Sequence, residues 1–264
     1  MHPISRILLP MDFSDRCMEM LPYAKAVATK YDAELILLHV ENDAELAKTG
    51  SDQLEDLKVR CVLFDGDPAE AIVEFARSEK IDLIAMPTHG YGGFRRLLIG
   101  SVTAKVLHDI ACPVLTGVHM KEEPAAKPAE FSNVLCAIDL GPQSSDVLKW
   151  ASQLATDFRA QFGIVHAVPP LSPGIELLLS GEWRMKVASL ARKDVETLLS
   201  GIGRAAAGVY IQEGEVAKTV CSFAKVAGAD LLVIGRGPRD GRAGRLPTHA
   251  YAIIRQSPCP VISI

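Results

Sequence analysis

The residues with the clearest chemical potential lie in one stretch, "MPTHGYGGFRRLLIGSVTAKVL", at positions 86–107. A short apolar run leads into Pro87, His89 and three glycines, then into two arginines, before Gly100-Ser101 opens a helical pattern. Glycine has no Cβ, so backbone N–H groups in such a loop can approach a ligand closely. The free N–H groups and the dipole of a helix start favour phosphate. The stretch therefore predicts a site for a small anion, and a tight turn that binds nothing is the alternative.

Composition restricts the classes of protein that could carry such a site. The chain has 264 residues, 48% of them hydrophobic and 23% charged, with a formal net charge of −4. Broad, sequence-independent nucleic-acid binding needs a strong basic field, so the net charge argues against that class. No apolar run approaches the roughly 20 residues that span a bilayer, and the apolar run near Met1 is too short for a signal peptide. We expect a cytoplasmic protein with no membrane or nucleic-acid partner.

The six cysteines give little sign of redox or metal chemistry. None forms a C-x-x-C pair, and most lie inside apolar runs such as "KVRCVLF". Zinc clusters and disulfide frameworks space their cysteines differently. We therefore expect buried, free thiols and no metal ligands.

The chain contains an internal repeat. "RILLPMDFSD" matches "NVLCAIDLGP" with Asp12 and Asp139 lying 127 residues apart, whereas "DGDPAEAIVEF" and "EGEVAKTVCSF" lie 148 apart. The second copy thus carries about 21 extra residues after its second strand, and these include a predicted long helix. Between the copies, "HMKEEPAAKPAEF" has the composition of a linker. The sequence predicts two domains, at 1–120 and 131–264.

Each half alternates short apolar runs with helical patterns. In the first half we predict strands near 5–11, 34–40, 58–64, 82–86 and 113–118, with a helical apolar face along "CMEMLPYAKAVATKY". Continuous apolar strands that alternate with helices indicate a parallel sheet covered on both faces. The prediction is two tandem, doubly wound α/β domains, each with a five-stranded parallel sheet. Ligands of such sheets bind beyond the carboxyl ends of the strands, where the strand order reverses.

These motifs resemble those of the universal stress protein family, and the two halves resemble its tandem, two-domain members. The ATP-binding branch of that family carries Gly, two residues, Gly, nine residues, then Gly-Ser or Gly-Thr. Here Gly90, nine residues and Gly100-Ser101 are intact, but Pro87 replaces the first glycine. The resemblance implies an adenine nucleotide alpha hydrolase-like fold with strand order 3-2-1-4-5. Proline has no N–H and a fixed φ, so Pro87 weakens the loop as a phosphate donor if the family glycine serves that purpose.

The resemblance also implies a ligand and a set of residues that bind it. The ligand is ATP, with or without Mg²⁺, or another adenine nucleotide. Asp12 would hold the ribose, the backbone of Val40 would meet adenine, and Gly90 with Gly100-Ser101 would hold the phosphates. The full set of expected binding residues is Pro10, Met11, Asp12, Val40, Met86, Pro87, His89, Gly90, Gly100, Ser101, Val102 and Thr103.

The second half departs further from the family motif. Gly235 stands at the first glycine, but Pro238 stands at the second and Pro247-Thr248 at the Gly-Ser position. We expect a degenerate copy that has lost ATP binding. The four arginines of its loop are Arg236, Arg239, Arg242 and Arg245. They would either attract an anion or form a solvated basic loop, and we favour the solvated loop.

Single residues allow two interpretations each. Asp12 either contacts the ligand, which we favour, or takes part in the helix N-cap with Ser14 and Asp15. His39 recurs as His166, which favours a packed histidine in both copies. His89 lies inside the glycine loop, where a loop-orienting hydrogen bond is a better interpretation than general base catalysis.

No catalytic motif accompanies the site. The chain has no G-x-x-x-x-G-K-[ST], no G-x-S-x-G and no H-E-x-x-H, and its glycine loops follow the fourth strand rather than the first. The missing motifs favour a sensor or binding module over an enzyme. The family resemblance implies that this module is a stress-response protein that binds an adenine nucleotide in its N-terminal domain. The alternatives are an interaction protein that binds no nucleotide, consistent with Pro87, and a slow ATPase or phosphotransferase using His89 or Asp12.

Family members pair through their last strands, so the resemblance predicts that "CPVLTGV" and "CPVISI" form a pseudo-dimer within one chain. A homodimer is also expected, because the extra helix of the second half adds apolar surface. That surface would comprise Leu177, Leu178, Leu179 and Trp183.

Overall fold

The computed structural model describes residues 4–40, 54, 56–90, 98–119, 131–170, 181–202, 206, 208–237 and 248–264. Strands and helices alternate in both halves. The first half contains β1 (Arg6–Met11), α1 (Asp15–Met18), α2 (Leu21–Tyr31), β2 (Glu34–Val40), β3 (Val59–Phe64), α3 (Pro68–Ser78), β4 (Leu83–Met86), α4 (Ser101–Asp109) and β5 (Val114–Thr116). The second half contains β6 (Asn133–Ala137), α5 (Ser144–Asp157), β7 (Gln161–Val168), α6 (Gly181–Ser200), β8 (Gly208–Glu213), α7 (Val216–Val226), β9 (Leu231–Ile234), α8 (Thr248–Gln256) and β10 (Val261–Ser263).

The first compact unit takes in residues 2–130 and 260–264. Its strands lie in the order β3-β2-β1-β4-β5, all parallel, which confirms the predicted order. The last strand of the chain, β10, pairs antiparallel with β5, with Ile262 opposite Leu115. These are the two segments for which the resemblance predicts pairing.

The second compact unit contains most of the remaining residues, from Phe131 to Cys259. Its strands lie in the order β9-β6-β7-β8, again parallel, so they match β4-β1-β2-β3 of the first unit. The α/β fold class is therefore confirmed. The domain limits 1–120 and 131–264 stay a prediction, because the segment between them lies outside the described residues.

The central strands are apolar along their whole length because both faces of the sheet are covered. Ile7, Leu8 and Leu9 of β1 are each 0% exposed. Full burial of one such side chain contributes about 1.5–3 kcal/mol. A strand covered on one face would alternate apolar and polar residues instead. The buried strands β1 and β4 hold their carboxyl ends in place. Those ends position Asp12, which follows β1, and the glycine loop, which follows β4.

The repeat extends to the backbone. Phe13 and Leu140, which lie 127 residues apart, both follow the aspartate after the first strand and have φ values of 57° and 62°. Positive φ is uncommon for residues other than glycine. The two halves thus make the same left-handed turn between the first strand and the following helix.

A second repeated feature anchors the start of each first strand. The Asp82 carboxylate accepts hydrogen bonds from the backbone N–H groups of Ser5 and Arg6, at 2.8 and 3.0 Å. Asp230, 148 residues further on, accepts from the N–H groups of Ser132 and Asn133. These bonds satisfy two backbone N–H donors at the start of the first strand in each half.

The predicted apolar helical face at 17–31 is divided between two helices. α1 ends at Met18, and α2 begins at Leu21 with Pro22 in its first turn. Proline cannot continue a helix, because its ring clashes with the carbonyl four residues earlier, here that of Met18. At the other end of α1, Ser14 is the N-cap, and its Oγ accepts from the N–H of Cys17 at 3.2 Å.

The prediction of buried cysteines is wrong for Cys61. Four of the six thiols are buried, Cys112 is half-buried, and Cys61 is exposed. The reason is topological: among the described strands β3 pairs with β2 alone, so it forms an edge of the first unit and every second side chain faces outward.

The long helix predicted for the extra segment is confirmed as α6. Leu177, Leu178 and Leu179 lie outside the described residues, as does the side chain of Trp183, so the predicted apolar dimer surface stays a prediction. Among the described helices, none combines the length and apolarity needed to cross a membrane.

Candidate functional site

A cavity of about 640 Å³ opens at the carboxyl ends of β1, β2 and β4 and at the start of α4. We call it the N-terminal cavity. All twelve residues expected from the sequence line it, together with Leu38, His39, Pro68, Ile72, Leu98 and Ile99. They converge because β1 and β4 are neighbours, with Ile7 opposite Leu83, which is the arrangement on which the sequence argument depended. Whether these residues bind a ligand stays a prediction.

Asp12 follows β1 directly and contributes the only carboxylate among the described lining residues. Its Oδ1 accepts from Ser14 N at 3.1 Å and from Ser14 Oγ at 2.6 Å. Ser14 is the residue that caps α1, so Asp12 orients the cap and does not supply it. The other oxygen, Oδ2, faces Gly90, where an added Cβ would collide with it. The glycine is therefore required for this position of the carboxylate.

The N-terminus of α4 forms another side of the cavity. Gly100 donates its N–H to the carbonyl of Thr88 at 2.8 Å, which brings the helix start against the loop. A Cβ at residue 100 would lie 3.2 Å from His89 Cα and 3.3 Å from His89 Cβ, so only glycine fits there without displacement. The first N–H groups of a helix have no partner within it, and they are partially positive. This end of the cavity is suited to an anion.

Pro87 lines the same cavity and has no N–H to offer it. Its carbonyl accepts from Thr103 Oγ1 at 2.9 Å, which ties the end of β4 to the first turn of α4. Thr103 is 3% exposed, so this bond is shielded from water. The loop therefore keeps its attachment to the helix although the family motif lacks its first glycine.

His39 and His166 have equivalent positions in the two halves. His39 Nδ1 lies 2.7 Å from the carbonyl of Met11, and His166 Nδ1 lies 2.9 Å from that of Ile138. Both rings are buried, at 7% and 8% exposure. Each histidine joins the end of the second strand to the end of the first, which is the packed, structural role that the repeat predicts.

His89 belongs to a polar cluster that the sequence analysis did not find. Its Nδ1 lies 3.1 Å from Thr88 Oγ1 and 3.4 Å from Arg16 Nη1, and its ring centroid lies 4.6 Å from that of His119. Burial, with Arg16 and His119 beside it, lowers the pKa of His89 to about 4. The ring is therefore neutral at physiological pH. Arg16 and His119 come from α1 and from the segment after β5, and no periodic pattern connects them to the loop.

The second unit contains a smaller cavity of about 220 Å³, the C-terminal cavity, at the ends of β6, β7 and β9. Asp139 lines it and repeats the local bonding of Asp12, because its Oδ1 accepts from Gly141 N at 2.8 Å and from Ser144 Oγ at 3.0 Å. The counterparts of the phosphate-facing residues, Pro238 and Pro247, lie outside the described residues.

The interpretation of Arg236 as part of a solvated loop is wrong. Arg236 follows β9 and is only 6% exposed. It takes the place of Thr88 in the repeat, and Thr88 is itself 2% exposed, so the position is an interior one in both halves. Outside the described residues lie Arg239, Arg242 and Arg245 of this loop, and Gly92, Gly93, Arg95 and Arg96 of the first.

Catalytic groups are sparse near the N-terminal cavity. Within the described ranges, no three His, Cys, Asp or Glu side chains are grouped so that they could hold a metal ion. The thiol of Cys17, in α1 beside Asp12, has its pKa raised to about 12 by burial, so it is protonated at neutral pH. The arrangement offers hydrogen-bond donors and one carboxylate, which suits binding.

Fold and site together define a class: a doubly wound α/β protein with a cavity at the carboxyl ends of its parallel strands, where such sheets bind their ligands. Comparisons with known proteins give the family. The sequence profile of the universal stress protein family matches residues 41–116 and 130–264. That match covers more than half of the chain, and the chain therefore belongs to the universal stress protein family.

Individual relatives agree with this assignment. Universal stress protein MJ0531 of Methanocaldococcus jannaschii is 33% identical over 143 residues, which cover 45% of this chain and 84% of the relative. A universal stress protein structure from Archaeoglobus fulgidus has a TM-score of 0.72 at 22% identity, covering 100% of this chain and 98% of its own. PA1789 of Pseudomonas aeruginosa, described as functionally unknown, has a TM-score of 0.76 at 19% identity and covers 99% of this chain and 92% of its own. At these identities the two structures establish the fold alone.

Proposed function

We propose that the N-terminal cavity binds ATP or another adenine nucleotide, and that the protein is a stress-response binding module without enzymatic turnover. One observation carries the proposal: the cavity combines the glycine-led N-terminus of α4 with the Asp12 carboxylate, and its volume is about 640 Å³. Cavities that bind small molecules and cofactors are typically 300–1,000 Å³.

Each part of a nucleotide has a chemical match in the cavity. The phosphates fit against Gly90 and Gly100-Ser101, because helix N–H groups and the helix dipole attract anions. The ribose hydroxyls fit Asp12, whose Oδ2 is not used in the cap of α1 and faces Gly90. The adenine fits against the end of β2 at Val40, beside the apolar side chains that line this region. Mg²⁺, where it accompanies the nucleotide, would be held mainly by phosphate oxygens and water.

The C-terminal cavity has a different role in this proposal. It has about 220 Å³ of space, and its carboxylate, Asp139, faces Gly141 and Ser144 of its own turn. Pro247 replaces the glycine that opens the phosphate-binding helix in the first half. The second domain therefore serves structure or regulation, and one nucleotide binds per chain.

The proposal also covers how the protein assembles and where in the cell it acts. The family resemblance implies a pseudo-dimer of the two halves within one chain, and a homodimer of two chains belongs to the same proposal. A cytoplasmic location fits a family of this fold and a ligand of this class.

A second candidate function rests on Pro87. Because the loop lacks one backbone N–H at the cavity wall, the protein would bind no nucleotide and would act through protein partners instead. The intact Gly90 and Gly100-Ser101 favour nucleotide binding over this alternative.

The proposal is tested with two variants at one position. Gly100→Ala introduces a Cβ that lies 3.2 Å from His89 Cα, and Gly100→Asp introduces the same Cβ with a negative charge. Calorimetry with MgATP on the emptied protein should give modest weakening for Ala and loss of measurable binding for Asp, because only Asp repels phosphate. Equal affinities in the two variants would contradict a phosphate at this helix start, and no heat from the unmodified chain would favour the second candidate.

A further inference from the structure

The Nε2 nitrogen of His89 is an unsatisfied polar group that is shielded from water. His89 lines the N-terminal cavity and is 8% exposed, and its Nε2 has no hydrogen-bond partner among the described residues. Most buried polar side-chain atoms are hydrogen-bonded, and each exception calls for an explanation. A ligand in the cavity would supply the missing partner. What the ligand must offer depends on whether Nε2 carries a hydrogen.

Arg16 decides that question. A guanidinium group only donates hydrogen bonds. Arg16 Nη1 lies 3.4 Å from His89 Nδ1 and donates to the carbonyl of His119 at 3.2 Å. Because Nδ1 faces a donor, it must act as an acceptor and cannot carry a hydrogen. In a neutral imidazole the hydrogen then lies on Nε2, which is left as a donor without a partner.

The surrounding groups oppose the charged form of the ring. A second hydrogen on Nδ1 would point at Arg16, and the pKa of His89 is lowered to about 4 by burial, Arg16 and His119. Thr88 Oγ1 lies 3.1 Å from Nδ1 of both His89 and His119. The Thr88 hydroxyl has a single hydrogen, so it can donate to the Nδ1 of only one of these two histidines.

Other ionisable groups lie around the cavity. Asp12 and His39 are the remaining titratable side chains among the described lining residues, and neither is hydrogen-bonded to His89. Arg95 and Arg96 follow in the loop, beyond the described residues.

The second half of the chain offers an internal comparison. At the repeat distance of 127 residues, Gln143 stands in place of Arg16, and at 148 residues Gly237 stands in place of His89. The cation and the imidazole thus occur together in the half with the intact Gly90 motif. Both are missing together in the half whose motif is degenerate, as expected if they act as a pair.

We infer that Arg16 fixes His89 as its neutral Nε2–H tautomer, and that this N–H donates a hydrogen bond to an acceptor oxygen of the ligand in the N-terminal cavity. The inference rests on the proposed function, because it requires a ligand in that cavity. Arg16 is then a positioning residue, and His89 provides a donor to a cavity wall where Pro87 has none.

The tautomer is tested on the full chain without ligand. Nuclear magnetic resonance of protein labelled with ¹⁵N-histidine distinguishes a protonated from an unprotonated ring nitrogen, and His89→Asn identifies the His89 signals. We expect a proton on Nε2 alone from pH 6 to pH 8. A proton on Nδ1, or on both nitrogens, would overturn the inference.

Two substitutions isolate the contribution of Arg16. Arg16→Met removes the donors and the charge, so the His89 ring should populate both tautomers and its titration midpoint should rise. Arg16→Lys keeps a donor-only cation and should retain the Nε2–H form. An unchanged tautomer and midpoint in Arg16→Met would refute the positioning role, since a merely structural residue would leave both unaffected.

The hydrogen bond to the ligand is tested by calorimetry with MgATP at pH 7. His89→Phe keeps a ring of similar shape and loses the donor, and we expect about tenfold or greater weakening, as for hydrogen bonds to charged groups. His119→Asn changes the same cluster without lining the cavity and should bind within about threefold of the unmodified chain. Equal affinity in His89→Phe would overturn the inference and leave the proposed function intact. If the unmodified chain binds no ATP, the proposed function and the donor role both fall, and the resonance spectrum still decides the tautomer.

Discussion

Replacing Asp12 by Ala separates ligand binding from local stability, because the repeat supplies a matched control. Asp12 and Asp139 each accept one backbone N–H and one serine hydroxyl in the turn after the first strand. Asp12→Ala and Asp139→Ala should therefore lose similar stability, about 1–2 kcal/mol for bonds that are partly exposed to water. For domains of this size, that corresponds to a fall in Tm of about 2–8 °C.

The two variants should differ in their affinity for nucleotide. Asp12 Oδ2 faces Gly90, and both residues line the N-terminal cavity. A hydrogen bond from a ribose hydroxyl to a carboxylate contributes about 1.5–3 kcal/mol. Asp12→Ala should therefore raise the Kd for ATP by about 10- to 100-fold. Asp139→Ala should leave the Kd unchanged, because its cavity is not the proposed nucleotide site.

Isothermal titration calorimetry gives both affinities, and differential scanning calorimetry gives both stabilities. Equal loss of ATP affinity in the two variants would mean that destabilisation, and not a direct contact, is the cause. An unchanged Kd in Asp12→Ala would refute the ribose contact outright.

Three further predictions follow from individual contacts. Asp82→Ala and Asp230→Ala each free two backbone N–H groups and should lower stability by similar amounts, about 1–3 kcal/mol in denaturant unfolding; a large difference between them would contradict the equivalence of the two halves. Iodoacetamide at pH 8 should modify the exposed thiol of Cys61 and leave that of Cys17 intact, because burial raises the pKa of Cys17 to about 12 and keeps its thiol unreactive. Mass spectrometry of the native protein measures the modification at each site, and faster modification of Cys17 than of Cys61 would contradict this prediction. Pro87→Gly restores an N–H and should tighten ATP binding by about fivefold in calorimetry, and weaker binding would mean that the rigid proline orients the loop.

The fold was predictable from the sequence because its signals are local and occur twice. Continuous apolar strands separated by helical patterns require a covered parallel sheet, and the matching positions of Asp12 and Asp139 divide the chain into two copies. The strand order 3-2-1-4-5 came from the family resemblance, because parallel connections alone allow more than one order. The break after Met18 was also available from the sequence, since Pro22 cannot form part of a helix that continues from that residue.

The place of the candidate site in the sheet was predictable from the sequence pattern, and its twelve expected residues came from the family resemblance. Residues that end β1, β2 and β4 must meet at one edge of the sheet, and the glycines identify the loop that closes over that edge. Pro68 and Ile72, at the start of α3, were missed because an apolar helical face is ordinarily assigned to the core. Their position after β3 was the signal that could have found them.

Contacts that depend on three-dimensional packing were beyond the sequence. Arg16 and His119 are separated by 103 positions and meet only because α1 and the segment after β5 lie against the same loop. Arg236 was assigned to a solvated loop on its charge alone, although its repeat partner Thr88 occupies an interior position. Charge predicts average exposure, and the repeat was the better guide to this residue.

The most direct test of the account is the stoichiometry of nucleotide binding. Protein freed of bound ligand is dialysed to equilibrium against labelled MgATP over a range of concentrations, and the number of sites per chain is read at saturation. We expect one site per chain, and we expect Gly100→Asp to abolish it. Two sites would contradict the assignment of the second domain as degenerate, and none at millimolar MgATP would contradict the nucleotide function itself.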